Sequence, residues 1–359
     1  MSSLKAARDA LLVAFDCGTI SEEEFCLLYD INRSDNLVFA HSDYERFPLD
    51  DKDDVECISN FRVKKQDIPL LAEALRLPET FKCQQGSVCD AIEGLCIFLR
   101  RFAYPCRYCD LVSLFGRSVP ELSMINNKVI NYIFDTHGNL ITRWNNRILS
   151  PALLEIYADA VTSKGAALTN CFGFIDGTVR PICRPGVHQR VVYNGHKRIH
   201  SIKFQSLALP NGLIGHLYGP VEGRKHDARM MAESNLYDSL EQHTVSPTGR
   251  PMCVYGDLGY PLRVQLQTPF RQPGLTAQME EYNKSMGTVR TSVEWLFGDI
   301  TNYFKFLDFK NNLKIGLSQI GKMCIVCAIL RNALTCMYYN STAEFFQLEP
   351  PTIFEYFAP

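Results

Sequence analysis

The sequence predicts an α/β protein, with an all-helical N-terminal region ahead of a mixed sheet flanked by helices. Three observations predict it. Apolar residues recur at helical spacing through about 67–147, apolar runs of strand character follow between 171 and 218, and helical patterns return from about 276 to 339. A length of 359 residues suggests two domains, or one large domain with a smaller one attached. The formal net charge of -2 gives no whole-chain argument for a polyanionic partner, although a local basic surface would be enough for one.

The elements follow in order. Ala6 to Phe15 has an apolar helical face, and Ser21, with Glu24 three residues later, predicts a capped second helix. Ser42 to Asp54 is acidic and turn-like. Ile68 to Leu75 is a short helix. Ser87 to Phe102 carries Ile92, Leu95, Cys96, Phe98, Leu99 and Phe102 at helical spacing. A short helix from about Arg107 to Phe115, a turn at Gly116 and a helix from about Val119 to Phe134 match helix-turn-helix geometry. That pattern suits either DNA reading or a plain helical scaffold. Ser150-Pro151 opens a further helix to about Ser163.

The character changes near Cys171. Phe172 to Ile175 reads as a buried strand ending in a turn at Asp176-Gly-Thr. Arg198 to Leu209 is a second strand, Pro210-Asn-Gly a hairpin turn, and Leu213 to Tyr218 the returning strand. A helix from about Asp227 to His243, a short strand from Met252 to Gly256, and helices over about Thr276–Phe306 and Ile315–Tyr339 complete the pattern. Three strands in a meander, a helix, a strand and more helices is the order of an RNase H-like core. The expected divisions are 1–66, 67–165, 166–340 and a tail over 341–359.

Fourteen scattered cysteines and an N-terminus without a sustained apolar core suggest reduced thiols in an intracellular compartment. The apolar run Cys324 to Leu330, bracketed by Lys322 and Arg331, is too short to span a bilayer and reads as a buried helix. Cys106/Cys109 and Cys324/Cys327 have C-x-x-C spacing without a matched second pair, so core packing is the favoured reading. No phosphate-binding glycine loop and no serine nucleophile elbow is present.

The chemistry-bearing residues are acids at the expected strand ends. Asp176 follows an apolar run and precedes glycine, and Asp257 follows Cys253-Val-Tyr-Gly. A charge there is expensive unless a cation or a strong hydrogen-bond partner meets it. Glu294 lies beside the helical apolar face formed by Val293, Leu296, Phe297, Ile300 and Phe304, and could point toward the strand ends. Three carboxylates so arranged suit Mg²⁺ or Mn²⁺, with two ions about 4 Å apart. Each acid taken singly could equally be a turn, cap or surface residue.

The segments Phe174-Ile-Asp-Gly-Thr, Gly223-Arg-Lys-His-Asp-Ala-Arg-Met, Gly256-Asp-Leu-Gly-Tyr-Pro and Val293-Glu-Trp-Leu-Phe-Gly resemble the PIF/Harbinger family of DDE transposases, including the harbinger transposase-derived nucleases. The resemblance covers about 171–335. Leu95 to Ile125, with Phe115-Gly-Arg-Ser-Val-Pro-Glu-Leu-Ser, looks like the helical region that precedes the catalytic domain in the same family. The resemblance implies Asp176, Asp257 and Glu294 as metal ligands, with Asp227 near the cluster. The family often has Trp-Pro and Gly-Ser before the His-Asp pair. This chain has Tyr218-Gly-Pro-Val-Glu-Gly-Arg-Lys, which leaves Asp227 open as either a ligand or a helix N-cap. The resemblance also implies a nuclear location, with some cytoplasmic protein, and a Myb-like helper. The expected partners are DNA, that helper and a second copy of the chain, with no membrane.

Between Gly177 and Val221 there is no Asp or Glu. The stretch holds Arg180, Arg184, Arg190, Lys197, Arg198 and Lys203, with Tyr193 placed to stack on a base. Arg224 and Lys225 add to it, and Arg107 and Arg117 offer phosphate contacts on the helical region. The expected activity is metal-dependent hydrolysis of DNA phosphodiesters, with strand transfer as an extension. The alternatives are a domesticated relative that binds DNA without cutting, and an adaptor built on the same fold.

Overall fold

The computed structural model describes residues 4–31 and 41–358; the side chains of residues 4–6, 8, 30, 31, 292–295 and 297 fall outside the described residues. Helices α1 (Leu4–Asp16) and α2 (Glu22–Ile31) come first. Ser21 caps α2: its Oγ accepts from the Glu24 N–H at 3.2 Å, and the Glu24 carboxylate accepts from the Ser21 N–H at 2.9 Å. Part of the expected 42–54 loop is described as turn, and Asp53 then caps α3 (Asp54–Phe61). Helix α4 (Asp67–Ala74) follows.

Residues 87–90 depart from expectation. They form not the first turn of a helix but β2 (Val88–Asp90), paired antiparallel with β1 (Thr80–Lys82). The cause is local. The Asp90 carboxylate accepts from the Glu93 N–H at 2.8 Å, so α5 (Ala91–Ala103) starts only after it. A 3-10 turn (Tyr108–Leu111), α6 (Val112–Phe115) and α7 (Val119–His137) meet around Gly116, whose φ of 56° is a left-handed value suited to glycine. Leu111, Phe115, Leu122 and Ile125 on their inner faces are fully buried. Helices α8 (Asn139–Thr142) and α9 (Pro151–Ser163) lead to the sheet, with Ser150 capping α9.

The main sheet contains β3 (Cys171–Pro181), β4 (Tyr193–Asn194), β5 (Ile199–Ala208), β6 (Ile214–Glu222), β7 (Cys253–Tyr255) and β8 (Leu266–Gln267). In space β6, β5 and β3 form an antiparallel meander, β7 adds parallel to β3, and β8 adds parallel to β7; β4 pairs with the start of β5. The meander is the expected one, but β3 continues through Asp176 and Gly177 to Pro181 instead of turning at Asp176. Arg198 sits at φ 55°, so β5 begins one residue later than its composition suggested. At the hairpin tip Leu209 N–H donates to Leu213 O at 2.9 Å, with Gly212 at φ 79°.

After α10 (Gln189–Val192) in the loop between β3 and β4, the remaining helices are α11 (Asp227–Glu233), α12 (Leu236–His243), α13 (Ala277–Tyr303), α14 (Ile320–Met337), α15 (Ser341–Phe346) and α16 (Ile353–Phe357). The single helix expected over 227–243 is split in two. Asn235 adopts φ 52°, which an α-helix does not accommodate. Helix α14 starts later than its apolar pattern, because 314–318 forms a turn with Ser318 N–H donating to Lys314 O. Among the described residues α14 is one helix long and apolar enough to cross a membrane, yet most of it is buried inside the protein, as a core helix is.

Beyond α14 the described residues 341–358 form α15 and α16. Ile353, Tyr356 and Phe357 are buried. Asn332 of α14 bridges both backbone groups of Ile214 and the Tyr356 hydroxyl at 2.8–2.9 Å, tying β6, α14 and α16 together. One continuous apolar cluster runs from Cys57 through the sheet to Phe357. Every described cysteine is a free thiol; Cys324 and Cys327 are buried in α14, in keeping with packing.

His216 on β6 gives a pH signature. It is buried, its Nδ1 has no hydrogen-bond partner among the described residues, and burial holds its imidazole down at about 4 against an ordinary 6.5. The unfolded chain takes up a proton near 6.5 and the folded chain only near 4. Stability is therefore full above about pH 6.5 and falls as the pH drops toward 4, by on the order of 3 kcal/mol. Urea unfolding at stepped pH should show that slope, and His216→Leu should reduce it; an unchanged slope in the variant would assign it to other groups.

Candidate active site

The strand register brings two acids side by side. Phe174 of β3 lies opposite Tyr255 of β7 in parallel pairing. Two residues further along stand Asp176, still on β3, and Asp257, in the turn just past the end of β7. Gly256 lets the backbone pass close to Ile175 and Tyr260: a Cβ there would lie 2.8 Å from Ile175 Cγ2 and 2.9 Å from Tyr260 Cδ2. Asp257 Oδ1 accepts from the Gly259 N–H at 2.9 Å, which fixes its carboxylate in the turn after β7.

Asp227 joins them from α11. It does not cap the helix: His226 is the cap residue, and Asp227 is the first helical residue. Its Oδ1 occupies the space that a Cβ on Gly177 would fill, and its Oδ2 lies 3.2 Å from the position of a Cβ on Gly259. Three aspartates thus crowd the end of the parallel β3–β7 pairing. The Asp176 carboxyl sits above the ordinary carboxylate value. Burial is the main cause; Arg290 pulls it down, while Asp257 and then Asp227 push it up. Tyr260, buried beside the three, has its hydroxyl pushed far up, first by burial and then by the same carboxylates.

Two cations answer this charge. Arg290 of α13 pairs with Asp176 at 3.0 Å, and Lys203 of β5 pairs with Asp227 at 2.7 Å. Glu294 lies one helical turn beyond Arg290, so α13 passes the cluster at that turn; the Glu294 side chain lies outside the described residues. Leu296 and Ile300 on that helix, and Phe304 at its C-cap, are buried, as the apolar face predicts, while Val293 and Phe297 lie outside the described side chains.

Crowded, like-charged, hard oxygen donors fit a divalent cation chemically. Among the described residues, however, no group of three or more His, Cys, Asp or Glu side chains is arranged to hold a metal ion. The expected shared site is therefore not assembled from the described residues alone.

The basic residues divide into two groups. Arg184, Arg190, Tyr193, Lys197, Arg198 and Arg224 are exposed, as is Arg107 at the start of the 3-10 turn. Lys225 is partly buried and paired with Glu222 at 2.8 Å and Glu233 at 2.6 Å. Three expectations need correction. Arg117 is buried against Glu93, Lys203 is buried against Asp227, and Arg180 is buried, its charge disfavoured by burial and favoured by the neighbouring Cys324, Asp308 and Cys327. None of the three presents its charge to solvent, because each lies on an inward face that composition alone does not reveal. The sequence reading missed Arg290 and Lys203 as partners of the acids. The one signal for Arg290 was its position four residues before Glu294.

Residues 175–332 match the family model described as DDE superfamily endonuclease. The match supports the DDE superfamily for this stretch, and the mixed sheet flanked by helices fits a DDE nuclease fold. The matched segment holds all four acids discussed above and both of their cationic partners. No curated protein and no solved structure matches the chain.

Proposed function

We propose that this chain is a metal-dependent DNA endonuclease of the DDE type, with Asp176, Asp257 and Glu294 as its catalytic carboxylates, on an RNase H-like core. The observation that carries this reading is the convergence of Asp176 on β3, Asp257 in the turn just after the parallel strand β7, and Asp227 between them, inside the DDE-matched segment. Asp176, Asp257 and Glu294 would hold Mg²⁺ or Mn²⁺, with Asp227 beside them. Cations held there would supply Lewis-acid activation of the attacking oxygen and charge neutralisation at the leaving oxygen.

The chain's own residues do the rest. The exposed Arg184, Arg190, Lys197, Arg198 and Arg224 hold the DNA backbone by charge, and the exposed Tyr193 stacks on an unpaired base. Arg290 on Asp176 keeps α13, and with it Glu294, against the sheet. The four quoted motifs support the PIF/Harbinger branch, and strand transfer, nuclear location, self-association and a Myb-like helper belong to the same reading. The helical region would help to choose the DNA site, with Arg107 as its exposed basic contact.

A second reading, a relative that binds DNA without cutting it, draws on the Arg290–Asp176 and Lys203–Asp227 pairs, since each engages a carboxylate oxygen. One experiment separates the two. Supercoiled plasmid is incubated with the full chain in Mg²⁺, in Mn²⁺ and in excess chelator, beside the Asp176→Asn variant. Metal-dependent nicking that the variant lacks supports the nuclease. Equal nicking by parent and variant would sink it, and salt-sensitive binding without nicking favours the second reading.

A further inference from the structure

Lys203 is an unlikely residue for the interior of a sheet. It lies on β5, the middle strand of the meander, opposite Val179 of β3 and Val221 of β6, and only 8 % of its side chain is exposed. Burying an ammonium is costly unless it is paired and hydrogen-bonded. Its Nζ donates to Asp227 Oδ1 at 2.7 Å and to the carbonyl oxygen of Lys225 at 2.9 Å. Lys225 lies in the turn before α11 and Asp227 is the first residue of that helix, so one buried cation holds both sides of the helix start.

The pinned carboxylate is wedged. One oxygen of Asp227 fills the space left by the missing side chain of Gly177, the neighbour of Asp176. The other lies 3.2 Å from the point that a Cβ on Gly259 would occupy, and Asp257 Oδ1 lies 3.0 Å from the same point. Asp227 therefore stands between the strand carrying Asp176 and the turn carrying Asp257. Glycine on both sides is what lets it sit there.

We propose that Lys203 is a positioning residue, whose buried ammonium locks Asp227 between Gly177 and Gly259 as a brace that sets the spacing of Asp176 and Asp257. It acts through Asp227 and does not contact DNA. The role rests on the proposed function where metal binding is concerned; the bracing itself does not.

The test uses the full chain in two states. In metal-free protein, hydrogen–deuterium exchange is followed over residues 223–234 and 256–262. In the second state Mn²⁺ is titrated and its free fraction read by electron paramagnetic resonance. The variants are Lys203→Met, Asp227→Asn and the double variant. Lys203→Met should speed exchange in both segments by about tenfold or more and weaken Mn²⁺ binding by about 10- to 100-fold. The double variant should bind Mn²⁺ no worse than Asp227→Asn alone, because both changes remove the same link.

Exchange within twofold of the parent in both segments overturns the proposal. So does a lower melting temperature with unchanged Mn²⁺ affinity, or losses that multiply in the double variant. A parent chain that binds no Mn²⁺ sinks the proposed function, while the exchange result still decides the brace. If Lys203→Met does not fold, Gly177→Ala displaces Asp227 from the other side, because the three atoms nearest the added Cβ all belong to the Asp227 carboxylate. It should reproduce both effects, and unchanged exchange and binding there would also overturn the proposal.

Discussion

Asp257→Asn is expected to lower metal-dependent nicking by about a thousandfold or more while the protein stays folded and bound to DNA. The substitution keeps the shape of the side chain and one carbonyl oxygen, so the hydrogen bond from the Gly259 N–H at 2.9 Å survives. What disappears is one negative charge beside Asp176 and Asp227. Cation-borne stabilisation of the reacting oxygens is worth several kcal/mol, and about 4 kcal/mol corresponds to roughly three decades in rate. DNA affinity should change little, because the basic residues that would meet the backbone are exposed elsewhere: Arg184, Arg190, Lys197 and Arg198. Plasmid nicking in Mn²⁺ reads the rate, and fluorescence anisotropy across a salt series reads the binding. A variant that nicks at the parental rate would remove Asp257 from the chemistry.

Glu93→Ala should destabilise the chain by about 3–5 kcal/mol, the largest stability effect expected from one surface-distant substitution. Glu93 and Arg117 are 7 % and 6 % exposed and form a two-pronged pair, with Arg117 Nε and Nη2 donating to the carboxylate at 2.5 and 2.6 Å. Arg117 Nη2 also donates to the Val88 carbonyl at 2.9 Å, so the guanidinium binds β2 to α5 at the entrance to α7. Removing the carboxylate leaves a buried cation with one carbonyl and the more distant Glu121 at 3.7 Å. Replacing both partners with apolar residues, Glu93→Leu with Arg117→Met, should cost far less, because no charge is then stranded. Urea midpoints of the two variants test this. A single variant as stable as the parent would show that the pair contributes nothing net.

The same pair shows where sequence reading runs out. Arg117 was expected on a phosphate as one of several basic residues on the helical region, and nothing in the local pattern pointed to Glu93, 24 residues away. Lys203 failed in the same way. Its positive charge was legible, but its inward direction was set by alternation along β5 and by Asp227, which arrives from another element. By contrast the meander, the short strand near Cys253 and the long helix after Thr276 were legible, because apolar periodicity and turn residues are local properties. The split at Asn235 and the β1–β2 hairpin were not, because one left-handed residue and one aspartate cap decided them.

The single apolar cluster that joins the helices before the sheet to the sheet itself and to α16 carries a mechanical consequence. Close-packed interiors resist relative sliding, so the two regions cannot hinge without opening shared side-chain packing. The span from Arg107 on the outer helices to the aspartates is then a constant length, in effect a ruler built into the molecule. On the proposed function, a duplex gripped at one end of that ruler would be presented to the acids at a fixed offset, with the cutting position measured by the protein rather than searched for.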